Sequence, residues 1–72
     1  MPTFGERLKQ LRIEKNMMQK ELAEYLGIAT NAYQRYEYDQ RDMNIKTLTA
    51  LADFFDVSID YLVGRSDNPN RL

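Results

Sequence analysis

The stretch that decides the fold covers residues 19–37 and reads QKELAEYLGIATNAYQRYE. Apolar side chains recur in it at helical spacing on both sides of a glycine. They are Leu22, Ala23 and Leu26 before the glycine, and Tyr33 and Tyr36 after it. Gly27 suits the left-handed conformation that ends many helices, and Ile28 after it can fold back onto the preceding helix. The stretch therefore predicts two short helices, at residues 19–26 and 30–38, that pack through their apolar sides.

Two short helices joined by a glycine-containing turn form a helix-turn-helix motif. Helical periodicity continues on both sides of it. A Thr3/Glu6 capping box opens a first helix at residues 4–15. A fourth helix begins near Ile45, and Ser58 can cap a short fifth helix that stops at Gly64. The buried side of the fourth helix is expected to contain Ile45, Leu48, Leu51, Ala52 and Phe55.

The fold class predicted is therefore all-α, a compact five-helix bundle with the helix-turn-helix at helices 2 and 3. Residues 1–64 form one domain, and residues 65–72 are interpreted as a C-terminal tail or the start of a linker.

Composition narrows the classes of protein to consider. The 72 residues include no cysteine and no histidine, which removes disulfides and the usual zinc ligands. The N-terminus has no apolar run typical of a signal peptide, and no stretch is long and apolar enough for a membrane helix. We expect a cytoplasmic protein that is not an enzyme, with no cofactor, no metal, no membrane partner and no small-molecule ligand.

Charge is unevenly distributed along the chain, whose net charge is −1. Residues 7–46 contain eight Lys/Arg and six Asp/Glu, a local balance of +2, whereas residues 47–64 contain three acids and no bases. Any surface that binds a polyanion is therefore expected away from the acidic C-terminal third. Binding should depend on a few well-placed lysine and arginine side chains rather than on a broad positively charged surface.

Several short patterns occur together in a fixed order. They are Leu8-x-x-Leu11-Arg12, Gln19-x-Glu21-Leu22-Ala23, Leu26-Gly27-Ile28, Tyr36-Glu37 and the run from Leu48-x-x-Leu51-Ala52 to Leu62-x-Gly64. With these marks the chain resembles the phage-repressor and Cro-like (Xre) helix-turn-helix family over roughly residues 4–64. The resemblance implies a lambda-repressor-like domain whose second helix crosses the DNA backbone and whose third helix enters the major groove.

The resemblance also implies roles for individual residues. The base contacts would come from Thr30, Asn31, Gln34 and Arg35, and backbone contacts from Gln19, Arg41, Asn44 and Lys46. Arg12 and Glu37 would form a structural ion pair. Tyr33 is bulky where an aliphatic side chain is usual, so we expect its ring to be only partly buried and its hydroxyl to reach the DNA backbone.

The chemistry of these side chains agrees with base readout. Arg35 can pair bidentately with guanine, and Asn31 or Gln34 can do so with adenine. Thr30 can donate to a base edge or contact a thymine methyl group. Four further positions besides Tyr33 depart from the family pattern. Met18 and Ala29 lack the usual capping hydroxyl, Asp39 replaces a frequent glycine and Met43 replaces a frequent proline.

The last third of the chain contains more large apolar side chains than short helices can bury. We expect some of them to form a homodimer interface made by Phe54, Ile59, Tyr61 and Val63. A two-fold dimer would place its recognition helices roughly 34 Å apart on double-stranded DNA and would read a near-palindromic operator.

The predicted function is a sequence-specific transcriptional regulator, of the repressor type. The alternative is a protein-interaction module that keeps the fold, such as an antitoxin-like partner.

Overall fold

The computed structural model describes residues 2–71 and contains five α-helices, with no β-strand among those residues. Their order along the chain is α1 (Phe4–Glu14), α2 (Gln19–Leu26), α3 (Thr30–Glu37), α4 (Ile45–Phe55) and α5 (Ile59–Leu62). Met1 and Leu72, the outer ends of the predicted domain and tail, lie outside the described residues. Within residues 2–71, none of the helices has the length and apolar character needed to cross a membrane.

The helix boundaries agree with the sequence prediction to within one residue. α1 and α3 each end one residue earlier than predicted, because Lys15 and Tyr38 are C-caps outside the helical region. Asn16 and Asp39 follow them with φ values of 56° and 57°, and a left-handed residue breaks the helical hydrogen-bond ladder.

Each helix contributes one fully buried large side chain to a shared core. These are Leu8, Leu22, Tyr33, Leu51 and Leu62, each with 0% of its surface exposed. The predicted inward orientation of Tyr33 and Tyr36 is confirmed, since both belong to this core. The core thus fixes α3 from its inner side.

The start of α1 lies in close contact with the end of α3 at Gly5. A β-carbon at this position would lie 2.3 Å from the carbonyl oxygen of Glu37, far inside van der Waals contact. Only glycine permits this distance between the start of α1 and the end of α3. The sequence pattern did not identify this requirement, because the partner is 32 residues away (37 − 5).

The start of α1 is capped twice. Thr3 and Glu6 form the predicted capping box. In addition, the Asp39 carboxylate accepts hydrogen bonds from the Gly5 N–H at 2.9 Å and from the Thr3 hydroxyl at 2.6 Å. Aspartate tolerates the left-handed conformation found at Asp39, and its side chain gives a contact that the usual glycine lacks. Asp39, which departs from the family pattern, therefore caps the start of α1.

The departures at Met18 and Ala29 leave the starts of α2 and α3 without a side-chain cap. Neither Met18 nor Ala29 offers a capping hydrogen bond. At α2 the Glu21 carboxylate accepts from the Met18 N–H at 2.9 Å, which satisfies one backbone donor. Burial along α4 also differs from the expectation. Leu51, Ala52 and Phe55 are buried and Leu48 is half-buried against the core, but Ile45, predicted to be buried, is 70% exposed because the start of the helix lies outside the core.

The segment after Gly64 returns along α4 and α5. The Ser58 N–H donates to the Pro69 carbonyl at 3.0 Å. Arg71 pairs with Asp53 at the end of α4. Asp67 contacts Arg7 at 3.3 Å. The predicted tail is thus packed against the helical body in this structure, and its division from the domain at Gly64 stays a prediction.

Candidate nucleic-acid interface

The four predicted base-contact residues lie in the first two turns of α3. Thr30 and Asn31 are on its first turn, and Gln34 and Arg35 are one turn later. Residues four apart project from the same side of a helix, so the four side chains form two adjacent rows. Asn31 and Arg35 are exposed, whereas Thr30 and Gln34 are half-buried. The outer row is therefore accessible to a ligand, whereas in the inner row Gln34 contacts Gln19 of α2.

Tyr33 does not belong to this outer surface. Its side chain is fully buried, and its hydroxyl donates to the Glu37 carboxylate rather than pointing outward. The expected contact between Tyr33 and the DNA backbone is therefore wrong for this structure. The physical reason is its place on the inward side of α3, where the core accepts the whole ring and the buried carboxylate satisfies the hydroxyl.

The structure brings together the predicted pair Arg12 and Glu37, which join α1 to α3. Arg12 Nε donates to Glu37 Oε2 at 2.6 Å, and Arg12 Nη2 donates to Glu37 Oε1 at 3.2 Å. The side chain of Arg12 is 11% exposed and that of Glu37 only 1%. Arg12 Nη1 also donates to the Met17 carbonyl at 2.8 Å, so the same guanidinium holds the loop before α2.

Glu37 accepts four hydrogen bonds, two at each carboxylate oxygen. Besides the two from Arg12, its Oε2 accepts from the Tyr33 hydroxyl and its Oε1 accepts from Gln19 Nε2 at 3.1 Å. A carboxylate has about four acceptor sites, so this buried group is saturated. α1, α2 and α3 thus meet at one charged centre.

The pKa values in this cluster follow from the same contacts. Burial by itself raises the pKa of Glu37, but the hydrogen bonds from Arg12, Tyr33 and Gln19 outweigh it and hold that pKa below its ordinary value. The hydrogen bond to Glu37 raises the pKa of Arg12. Burial and the neighbouring carboxylate raise the pKa of Tyr33. At neutral pH the pair is therefore charged and the tyrosine is neutral.

Gln19 connects this buried centre to Gln34, one of the four predicted base-contact residues. It is the first residue of α2, and its Oε1 accepts a hydrogen bond from Gln34 Nε2 at 3.0 Å. Gln34 is thereby linked to Glu37 through one intermediate amide. Sequence reasoning placed both glutamines at DNA but did not find their mutual contact, because no local spacing relates residues 15 apart (34 − 19) on separate helices.

The predicted backbone contacts after α3 lie on an exposed polar connection. Asn44 caps α4 by accepting from the Thr47 N–H at 2.8 Å, which leaves its amide nitrogen free. Arg41 is exposed, with its guanidinium 5.4 Å from the centre of the Tyr36 ring. Lys46 is exposed in the first turn of α4. Their side chains are accessible, and their contact with phosphate stays a prediction.

The four residues expected at a dimer interface occupy different surroundings. The Phe54 ring lies 4.5 Å from that of Tyr25, between ring centres. The Arg7 guanidinium stacks over Tyr61 at 3.7 Å. Val63 borders a shallow depression beside Phe4. Phe54, Tyr61 and Val63 are half-buried, while Ile59 is 36% exposed.

The sequence pattern did not identify Arg7 as a buried residue. Its side chain is 4% exposed, held between the Tyr61 ring and the Asp67 carboxylate.

Among residues 2–71, no group of three or more acidic side chains is arranged to hold a metal ion.

Comparison with known proteins agrees with this architecture. A family model described as helix-turn-helix matches residues 8–62. A prophage-derived, uncharacterised HTH-type transcriptional regulator, YonR of Bacillus subtilis, is 42% identical over 60 residues, which are 83% of this chain and 56% of that protein. The HTH-type transcriptional regulator ImmR of the same species is 42% identical over 65 residues, 90% of this chain and 51% of that protein.

A third relative is a phage repressor. The cryptic phage CTXphi transcriptional repressor RstR of Vibrio cholerae is 33% identical over 64 residues, 89% of this chain and 58% of that protein. The chain thus spans about half the length of the curated relatives it matches. It belongs to the helix-turn-helix family, of the Xre or phage-repressor type, and its five-helix fold is that of a lambda-repressor-like domain. This is a family of transcriptional regulators rather than enzymes.

Proposed function

We propose that this chain is the sequence-specific DNA-binding domain of a transcriptional regulator, of the repressor type, which blocks polymerase by occupying an operator. The observation that carries the proposal is the division of α3 into two sides. Tyr33, Tyr36 and Glu37 are buried and fix the helix, while Asn31 and Arg35 are exposed. A rigid helix with a polar outer side is what major-groove readout requires.

The exposed residues suit particular base edges. Arg35 pairs with the O6 and N7 acceptors of guanine, and Asn31 pairs with the N6 and N7 groups of adenine. Thr30, at the uncapped start of α3, donates to a base or contacts a thymine methyl group. Gln34 supplies a fourth base contact from the inner row.

The DNA backbone is held from both sides of α3. Gln19 stands at the start of α2, where helical N–H groups without partners favour phosphate. On the other side, Arg41, Asn44 and Lys46 present an accessible basic and amide edge. Because it has few basic side chains and a net charge of −1, the domain gains little affinity from general electrostatic attraction to DNA. Affinity therefore depends on placement and on a second copy.

The active form in this proposal is a cytoplasmic homodimer on a near-palindromic site. Ile59, with Phe54, Tyr61 and Val63 around α5, forms the contact between copies. Residues 1–64 act as the DNA-binding domain, and residues 65–72 form its C-terminal tail or the start of a linker.

A second candidate function, binding of a protein partner in an antitoxin-like manner, is favoured by exposed apolar side chains. Met18, Tyr38 and Ile45 are each more than 60% exposed. Scattered exposed apolar residues are common on soluble domains, so this observation weighs less than the organisation of α3.

The test is selection of bound duplexes from a random library, followed by a salt titration of the best duplex. The proposal expects an enriched motif with two-fold symmetry and an affinity that falls steeply with salt, since the slope counts the phosphates neutralised. A library without an enriched motif contradicts sequence-specific binding. An enriched motif without symmetry, bound by a monomer, contradicts the dimer alone.

A further inference from the structure

The hydrogen bonds from Glu37 through Gln19 to Gln34 run in a single direction. Gln34 Nε2 donates to Gln19 Oε1 at 3.0 Å, and Gln19 Nε2 donates to Glu37 Oε1 at 3.1 Å. This series of hydrogen bonds begins at the nearly fully buried carboxylate of Glu37 and ends at the half-buried side chain of Gln34 on α3. It therefore joins the structural centre of the domain to the proposed reading surface.

The orientation of the Gln19 and Gln34 amide groups is set by the charge on Glu37, so the two ways of placing each amide are not equivalent. An ionised carboxylate only accepts hydrogen bonds, so Gln19 must turn its NH2 group toward Glu37. The carbonyl oxygen of Gln19 then faces Gln34, which must in turn offer its own NH2 group. Neither amide can turn over without placing two acceptors against each other. The buried charge thus orients both glutamines.

This arrangement leaves Gln34 with a defined free edge. One N–H is used on Gln19, and the carbonyl oxygen and the second N–H remain. In the major groove, adenine offers the N6 donor and the N7 acceptor, which match both groups. Guanine offers only acceptors at O6 and N7, so the fixed carbonyl oxygen of Gln34 opposes it.

We infer, building on the proposed function, that Gln34 selects adenine over guanine because Glu37, acting through Gln19, fixes the orientation of its amide. Gln19 is a positioning residue in this role. An unrestrained glutamine could rotate its amide by half a turn and donate to guanine or thymine instead. The hydrogen-bonded chain removes that freedom before DNA is bound.

The experiment uses the duplex selected by the wild-type chain and its single-base variants. Gln34→Ala identifies the contacted base, as the position at which preference is lost. At that position the wild type should bind adenine about 10-fold or more tightly than guanine, the range of a good bidentate pair. Gln19→Met, which has similar length but no amide, should reduce this ratio to within about 3-fold. Asn31→Ala is the matched control, because it removes a base contact without touching Gln19 and should leave the ratio unchanged.

The ratio of the affinity for adenine to the affinity for guanine separates the positioning role of Gln19 from its other roles. Loss of a phosphate contact or of stability weakens binding to all duplexes equally and leaves the ratio intact. An unchanged ratio in Gln19→Met, or a wild type that prefers guanine there, overturns the inference while the proposed function stands. If Gln34→Ala alters no base position, the inference is also overturned. Failure to select any duplex refutes the proposed function, and the inference falls with it.

A second measurement needs no variant. In the free wild-type protein, NMR should detect a coupling across the hydrogen bond between Gln34 Nε2 and the side-chain carbonyl carbon of Gln19. A coupling in the opposite sense, from Gln19 Nε2 to the carbonyl carbon of Gln34, overturns the inference. Absence of both couplings does so as well.

Discussion

Replacing Arg12 by methionine tests the buried ion pair that holds α3 in place. Methionine replaces the aliphatic part of the arginine side chain but lacks the guanidinium group, so it removes the charge and all three hydrogen bonds. Arg12 makes two hydrogen bonds to Glu37 and one to the Met17 carbonyl. The variant leaves a carboxylate with 1% of its side chain exposed and only Tyr33 and Gln19 as partners.

The magnitude follows from this burial. Removing one partner of a buried pair typically costs about 3–5 kcal/mol, because the remaining charge has lost its compensation. A single core in a domain of this size supplies only roughly 3–5 kcal/mol. Solvent screens the pair little, since both side chains are nearly inaccessible. We therefore expect Arg12→Met to be largely unfolded at 25 °C in the absence of denaturant.

The assay is urea unfolding followed by far-ultraviolet circular dichroism. Arg12→Met combined with Glu37→Gln should recover part of the lost stability, because the uncompensated buried charge is gone. Arg71→Met is the control: it removes an exposed pair with Asp53, and its urea midpoint should match the wild type. An Arg12→Met variant that unfolds at the wild-type midpoint would refute the structural role assigned to the pair.

Three further predictions concern the same framework. Gly5→Ala should lower stability by about 2–3 kcal/mol, because its β-carbon would lie 2.3 Å from the Glu37 carbonyl oxygen. Gly27→Ala, which meets no atom within 4 Å but has φ +72°, should cost only about 1 kcal/mol. An equal loss in both would contradict the close approach. Asp39→Ala should cost about 1 kcal/mol by removing an acceptor from the start of α1, and an unchanged urea midpoint would argue against that cap. Acidification should destabilise the domain: the lowered pKa of Glu37 contributes stability that is present above about pH 4.5 and is lost as the pH falls through the folded-state value. Urea midpoints between pH 7 and pH 3 measure this loss, and Glu37→Gln should show a smaller decrease; equal decreases would exclude Glu37 as a source.

The local parts of this fold could be predicted from the sequence. The extent of α2, the Thr3/Glu6 capping box and the left-handed Gly27 depend on residues within one or two helical turns. Periodicity and capping rules describe such short-range relations well. The family pattern added the Arg12–Glu37 pair, which spacing alone does not reveal.

The missed features all depend on distant partners. Gly5 is required by the Glu37 carbonyl, and Asp39 gains its role from the start of α1. Tyr33 was expected to reach outward because of its size, but the core accommodates the ring and Glu37 accepts its hydroxyl. Ile45 followed the apolar period of α4, yet the first turn of that helix lies outside the core. Three-dimensional packing decided each case.

The predicted base-contact residues are the part of the chain that packing determines least. Asn31 and Arg35 are exposed, and the bases they select depend on the docked duplex. Gln34 is the exception, since its internal hydrogen bonds already restrict what it can read.

The measurement that tests the central claim most directly compares the wild type with Arg35→Ala on the selected duplex and on all its single-base variants. If α3 reads bases, the substitution should cost about 1–3 kcal/mol on the selected duplex and should relax preference at one or two positions only. Uniform weakening across every duplex, with all base preferences kept, would contradict the placement of α3 in the major groove with Arg35 against a base edge.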